Sequence, residues 1–182
     1  MDRKQFLRSC AGGLCACAMA PAAVAAETPA PAEDWRVSFV KKRYAKLLEV
    51  LSGKMTEAEL AAALQTLGSY CASTFDDKFA KYRGDPNAFA AHIKTLGAGD
   101  LFSYDAKRNM VIASSEERTD CICPLIGKAY KTPGVVCNCS IGWHQYAWPA
   151  LLGKKVQVAL KESALRGGKR CTLEIRVLPE PA

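Results

Sequence analysis

Cys171-Thr172-Leu173-Glu174-Ile175-Arg176-Val177 is the stretch whose reading decides the fold class. Its side chains alternate, with Cys171, Leu173, Ile175 and Val177 on one face, the period of a strand with one side buried. Val156-Gln157-Val158-Ala159-Leu160 alternates in the same way upstream, and Arg166-Gly167-Gly168-Lys169 reads as a turn. Residues 101–104 and 110–113 flank the polar turn 105–109 and read as a hairpin.

The first half of the chain carries helical spacing instead. Trp35, Phe39 or Val40, Tyr44, Leu47, Leu48 and Leu51 recur at three- and four-residue intervals behind a capping Asp34, and Ser52-Gly53 ends that helix. Thr56-Glu57-Ala58-Glu59 has the form of a capping box, in which Thr56 and Glu59 satisfy free backbone amides. The helix behind it carries Leu60, Leu64, Leu67 and Cys71 on one side and is predicted to run to about Tyr82. Asp85-Pro86 is a cap followed by proline at the first helical position. It opens a third helix, with Phe89, Ile93 and Leu96, that ends at Gly97. Residues 141–152 read as a further short helix closed by Gly153, with Pro149 kinking it or starting its last turn. Helices followed by antiparallel strands indicate an α+β domain: N-terminal helices packed on an antiparallel sheet, with a Cys-rich loop between.

That loop, residues 120–140, carries Cys121-Ile122-Cys123-Pro124 and then Cys137-Asn138-Cys139. In extended chain, residues two apart point the same way, so each pair is predicted to aim both sulfurs together. The chain between them contains Pro133-Gly134 and is long enough to turn back. Three chemistries suit four such sulfurs. Thiolates match tetrahedral zinc, with Zn–S bonds of about 2.3 Å, or an iron–sulfur cluster. Cross-paired disulfides would staple the loop, at about 2–4 kcal/mol per bridge. A reactive thiol cluster is the third.

The 182 residues suit one domain with a core of its own. Residues 1–26 read as an export signal, either Sec or a twin-arginine type with Lys4 in the second arginine's place. Arg3, Lys4 and Arg8 form its basic start, and Val24-Ala25-Ala26 fits a small-residue cleavage site. Residues 27–34, with Pro29 and Pro31, read as a linker, and 35–180 as the single domain. The location implied is periplasmic or exported. Of the nine cysteines, Cys10, Cys15 and Cys17 fall in the signal, leaving six. The formal charge is +7, of which Asp2, Arg3, Lys4 and Arg8 supply +2. The remainder is scattered, with Lys41-Lys42-Arg43 and Lys154-Lys155 as solvated runs. With no zinc-finger, RRM-type or Walker signature, the sequence does not point to nucleic acid. Whether the chain has a protein partner is left open by the sequence. Nothing after the signal reads as a membrane span.

Several motifs follow in order: Cys121-x-Cys123-Pro124-Leu125, Cys137-x-Cys139-Ser140-x-Gly142-Trp143, Leu151-Leu152-Gly153-x-x-Val156-x-Val158, and Ser163-x-x-Arg166-Gly167-x-x-x-Cys171-x-Leu173-x-Ile175. With Gly68-x-x-Cys71-Ala72 in the helical half, this order resembles bacterial and archaeal proteins related to the 4-vinyl reductase domain and to aminothiazoline-carboxylate hydrolase-like proteins. The resemblance spans residues 35–178. It implies an α+β domain with a ligand or metal pocket lined by the cysteine loop.

Residues and resemblance together point to an exported small-molecule- and metal-binding domain. Cys121, Cys123, Cys137 and Cys139 would hold zinc or an iron–sulfur cluster, beside a ligand pocket formed with Cys71, Trp143, His144 and Cys171. His144 is also an acid/base candidate near neutral pH, whereas His92 reads as a simple helix residue. Trp143, Tyr146 and Trp148 read as core or as an aromatic pocket wall. Two other readings stand beside this one. In a hydrolase, a pocket cysteine such as Cys71 or Cys123 would be the nucleophile, or a metal would activate water. In a disulfide-stapled scaffold the cysteines would serve another protein's binding. No Ser-His-Asp order or His-Glu-x-x-His signature is present.

Overall fold

The computed structural model describes residues 34–96, 100–127 and 130–179. The residues read as an export signal, most of those read as a linker, and Gly97 lie outside the described residues. The fold is α+β, with the helices mostly N-terminal and packed on a four-stranded antiparallel sheet. The helices are α1 (Trp35–Ser52), α2 (Glu57–Ser73), α3 (Asp76–Lys81), α4 (Pro86–Thr95) and α5 (Asn138–Leu152). The strands are β1 (Asp100–Asp105), β2 (Met110–Ser115), β3 (Val156–Glu162) and β4 (Thr172–Val177), in the order β1-β2-β4-β3.

The helix starts follow from the caps. Asp34 accepts from the Arg36 amide, Asp85 accepts from the Ala88 amide with Pro86 next, and Thr56 and Glu59 complete a reciprocal capping box. The second helix stops at Ser73 rather than running on to Tyr82. There the Ser73 hydroxyl donates to the Tyr70 carbonyl at 2.8 Å, and the Thr74 hydroxyl donates to that of Cys71 at 2.7 Å. Side chains thus take carbonyls that a continuing helix would use, and α3 starts afresh at Asp76.

The face of α1 differs from its periodicity. Only Leu48 is buried, with Tyr44 and Leu51 partly buried beside Leu60, Leu64 and Val136; Trp35, Phe39, Val40 and Leu47 are exposed. The inward stripe is the narrow one of Tyr44, Leu48 and Leu51, spaced four and three apart.

β2 and β4 pair Val111 with Ile175 and Ala113 with Leu173, and these four side chains are buried. α5 lays Ala147, Trp148 and Leu151 into the same core. On its other side α5 packs against α2 at backbone distance. A Cβ on Gly68 would enter the shell of the Cys139 carbonyl, and one on Gly142 would enter that of the Gln65 carbonyl. The Ser69 hydroxyl donates to the Gly142 carbonyl at 3.1 Å across this crossing. α5 runs through Pro149 and closes at Gly153, whose φ of 68° suits a residue without Cβ.

Each added methyl at the crossing must push two backbones apart. Gly68→Ala and Gly142→Ala should each destabilise the chain by about 1–3 kcal/mol or more, read as a fall in thermal midpoint. Gly84→Ala, at an open position of positive φ, serves as the comparison for strain without a clash. Equal, small effects at all three would contradict the close crossing.

Candidate functional site

The six cysteines of the domain come from separate elements. Cys71 sits near the end of α2, Cys121 and Cys123 in the loop after β2, Cys137 at the end of a 3-10 turn (Gly134–Cys137), Cys139 in the first turn of α5, and Cys171 just before β4. All six are free thiols. Helix formation reaches further upstream than the predicted start at residue 141, and this overturns the extended reading of the second pair. At about 100° per residue, Cys137 and Cys139 point to opposite sides of the helix.

The thiols therefore fall into two groups. Cys71, Cys123 and Cys139 lie together beneath Tyr44. Burial, followed by the fields of Cys123, Cys71 and Cys121, pushes the Cys139 thiol up to about 12. Burial and the same four thiols push the Tyr44 phenol up to about 12. On the other side of α5, Cys121, Cys137 and Cys171 line a cavity of about 40 Å³ together with Ser140, His144 and Arg118. Cys121 stands between the groups. Burial raises it to about 11, opposed by the Cys123 amide, and Cys123, Cys137 and Cys171 add smaller upward fields.

Cys137 differs from the other thiols in what faces it. Its Sγ lies 2.8 Å from Ser163 Oγ in a buried contact. On balance its pKa is raised: burial outweighs the Ser163 hydrogen bond, the Arg166 charge and an Arg166 hydrogen bond, and the field of Cys171 adds to the rise. Both partners come from the turn after β3, which a register irregularity between Leu160 and Glu162 precedes. Gly167, at φ 86°, and Gly168, where a Cβ would strike Glu162 Cγ at 2.5 Å, give that turn its shape. Arg166 Nε also donates to the Gly134 carbonyl at 3.0 Å, tying the turn to the chain leading into Cys137.

His144 lies two helical turns beyond Cys137, so it shares the face of α5 that lines the cavity. It is 4% exposed. The Trp148 indole donates to its Nδ1 at 3.0 Å, which puts the imidazole proton on Nε2. Among the described residues Nε2 has no hydrogen-bond partner. Burial lowers the His144 pKa to about 3, so the ring is a neutral donor at physiological pH and not a base.

Of the residues expected to form a ligand pocket, His144 and Cys171 line this cavity, and Cys71 and Trp143 do not. Trp143 stacks with Phe102 and meets Phe75 and Phe79 edge-on, within the aromatic core. The four sulfurs expected to hold zinc or an iron–sulfur cluster are chemically suited to either, but α5 divides them. Among the described residues no group of three or more His, Cys, Asp or Glu side chains is placed to hold a metal ion. The arrangement thus does not fit a metal on Cys121, Cys123, Cys137 and Cys139 together. Ser163 and Arg166 are site residues that spacing along the chain does not single out, although Ser163-x-x-Arg166-Gly167 stands out as a motif.

Neutral burial of His144 has a pH signature. The unfolded chain takes up its proton near pH 6.5, whereas the folded chain refuses it until about 3. Stability present at neutral pH is therefore lost as the pH falls through that window. Going from about pH 6.5 to about pH 5 should remove roughly 2 kcal/mol through this group. Urea midpoints across this range should fall less steeply for His144→Gln than for the wild type; parallel slopes would contradict the assignment.

The sequence matches no family model, and no curated protein matches it. Trafficking protein particle complex subunit 3 from Naegleria fowleri, in a structure covalently bound to palmitic acid, is similar in fold, with a TM-score of 0.54 at 14% identity over 80% of this chain and 96% of that one. An H-NOX domain from Shewanella oneidensis in the Fe(II)CO state has a TM-score of 0.42 at 16% identity, covering 82% of this chain and 77% of that one. A second S. oneidensis H-NOX structure, in the Fe(II) state, has a TM-score of 0.44 at 15% identity, covering 84% and 76%. The first of these similarities shows a shared fold.

Proposed function

We propose that the domain binds a small polar molecule in the cavity beside α5 and that Cys137 acts on it as a nucleophile. The observation that carries this reading is the 2.8 Å contact between Ser163 Oγ and Cys137 Sγ, with the charge of Arg166 favouring the thiolate of the same sulfur. A thiol attacks as its thiolate, and a buried thiolate is costly unless donors and positive charge face it. The Ser163 hydroxyl and Arg166 supply both and offset part of the burial that raises this thiol. The Nε2–H of His144 is suited to stabilise negative charge that develops on a bound molecule. The nucleophile so assigned is neither Cys71 nor Cys123. In keeping with the signal read in residues 1–26, the proposal puts the domain in the periplasm or outside the cell. A cavity of about 40 Å³ has no room for a long acyl chain such as the one on the trafficking-complex neighbour.

The test is thiol reactivity resolved by residue. The reduced chain is treated with a limiting amount of a small methylthiolating reagent and mapped by peptide mass spectrometry. Cys137 should be modified faster than Cys71 and Cys139. Removing a hydrogen bond to a charged group costs about 1.5–3 kcal/mol, so Ser163→Ala should slow Cys137 roughly tenfold or more. An inert Cys137 in the wild type, or a rate that Ser163→Ala leaves unchanged, contradicts the reading.

A further inference from the structure

We propose that the molecule this cavity takes is a small hydroperoxide, which oxidises Cys137, and that Cys171 then closes a disulfide with it. The inference rests on the reading of Cys137 as a nucleophile and adds the substrate class and the second thiol.

Size is the first argument. One water needs about 10–15 Å³ of such space, so a cavity of about 40 Å³ accepts a molecule of a few heavy atoms. Hydrogen peroxide and the head of a short alkyl hydroperoxide meet that limit.

The chemistry of the lining is the second argument. A peroxide needs a nucleophile at one oxygen and donors at the other, because negative charge builds on the oxygen that leaves. Cys137 is the nucleophile, held by Ser163 and Arg166 at the start of α5. His144 is the donor: buried, fixed as its Nε2–H form by Trp148, and without another partner for that N–H among the described residues. The Ser140 hydroxyl lines the same space one helical turn before His144.

The third argument is the presence of a second thiol. Cys171 lines the same cavity, and its amide donates to Ser115 Oγ at 3.0 Å, which anchors the start of β4. Cys139, by contrast, faces α2 and is barred from Cys137 by the helix itself.

The two steps balance. The Cys137 sulfur attacks the distal peroxide oxygen. An S–O bond forms, the O–O bond breaks, and the leaving oxygen departs as water or an alcohol with the proton the thiol gave up. Cys137 is now a sulfenic acid. The Cys171 sulfur then attacks the Cys137 sulfur. An S–S bond forms, the S–O bond breaks, and the hydroxyl leaves as water with the Cys171 proton. Two thiols have given two electrons to one peroxide.

One equivalent of hydrogen peroxide added to the fully reduced domain, followed by disulfide mapping, tests this in the wild type. The expected product joins Cys137 to Cys171. In Cys171→Ser, Cys137 should stay as a sulfenic acid that dimedone traps. Arg166→Lys keeps the charge but loses the planar donor fork, and should slow oxidation of Cys137 roughly tenfold. Oxidation confined to Cys71, Cys123 and Cys139 overturns the proposal, and a bond from Cys137 to Cys121 overturns the assignment of Cys171. If Cys137 takes the methylthiolating reagent but resists peroxide, the nucleophile stands and the peroxide falls. If it resists both, both fall.

Discussion

The backbone crossing of α2 and α5 at Gly68 and Gly142 is the constraint on which the rest of the molecule depends. With no Cβ on either side, the Cys139 and Gln65 carbonyls sit where side chains would otherwise stand. Contact this close fixes the rotation of α5 about its own axis. Cys139 then has to face α2, and Cys137, Ser140 and His144 have to face the sheet and the loop. One geometric fact thus separates the thiols and selects the residues that line the cavity.

The two sides of α5 have different physical characters. Beneath Tyr44, burial and neighbouring thiols oppose ionisation, and the pKa values of Cys139 and Tyr44 rise together. On the cavity side the thiols are also buried, but Cys137 meets the Ser163 hydroxyl and the charge of Arg166. The His144–Trp148 hydrogen bond lies inside the core, where both residues are almost wholly shielded from water. A neutral imidazole with one fixed tautomer is the form that such a place accepts, since an imidazolium would lack water and a counter-charge. The ring lines the cavity and carries its remaining proton on Nε2.

Much of this architecture is legible in the sequence because it is local. The caps at Asp34, Thr56/Glu59 and Asp85/Pro86, the alternation in β3 and β4, and the glycine that closes α5 are all set within a few residues. The break after Ser73 was less visible, because two hydroxyls decide it against a continuing apolar stripe. The second Cys-x-Cys misled for a related reason. Two residues apart means the same side in a strand and opposite sides in a helix, and Asn138 already belongs to α5. The partners of Cys137 were out of reach of local reasoning. Ser163 lies 26 residues away, and only the packing of the β3–β4 turn against the start of α5 brings it into contact. The width of the buried face of α1 was illegible too, since periodicity shows where a stripe lies but not how much of it a neighbour covers.

The division of the thiols by α5 is the central claim. It can be read directly from the cysteine Cβ resonances of the reduced domain labelled with carbon-13 at that position. Replacing Ser163 by alanine should move the Cys137 resonance and leave that of Cys139 in place. Replacing Cys71 by serine should move Cys139 and leave Cys137. Resonances of Cys137 and Cys139 that respond together to either change would mean that the two sulfurs share one environment, and would contradict the account.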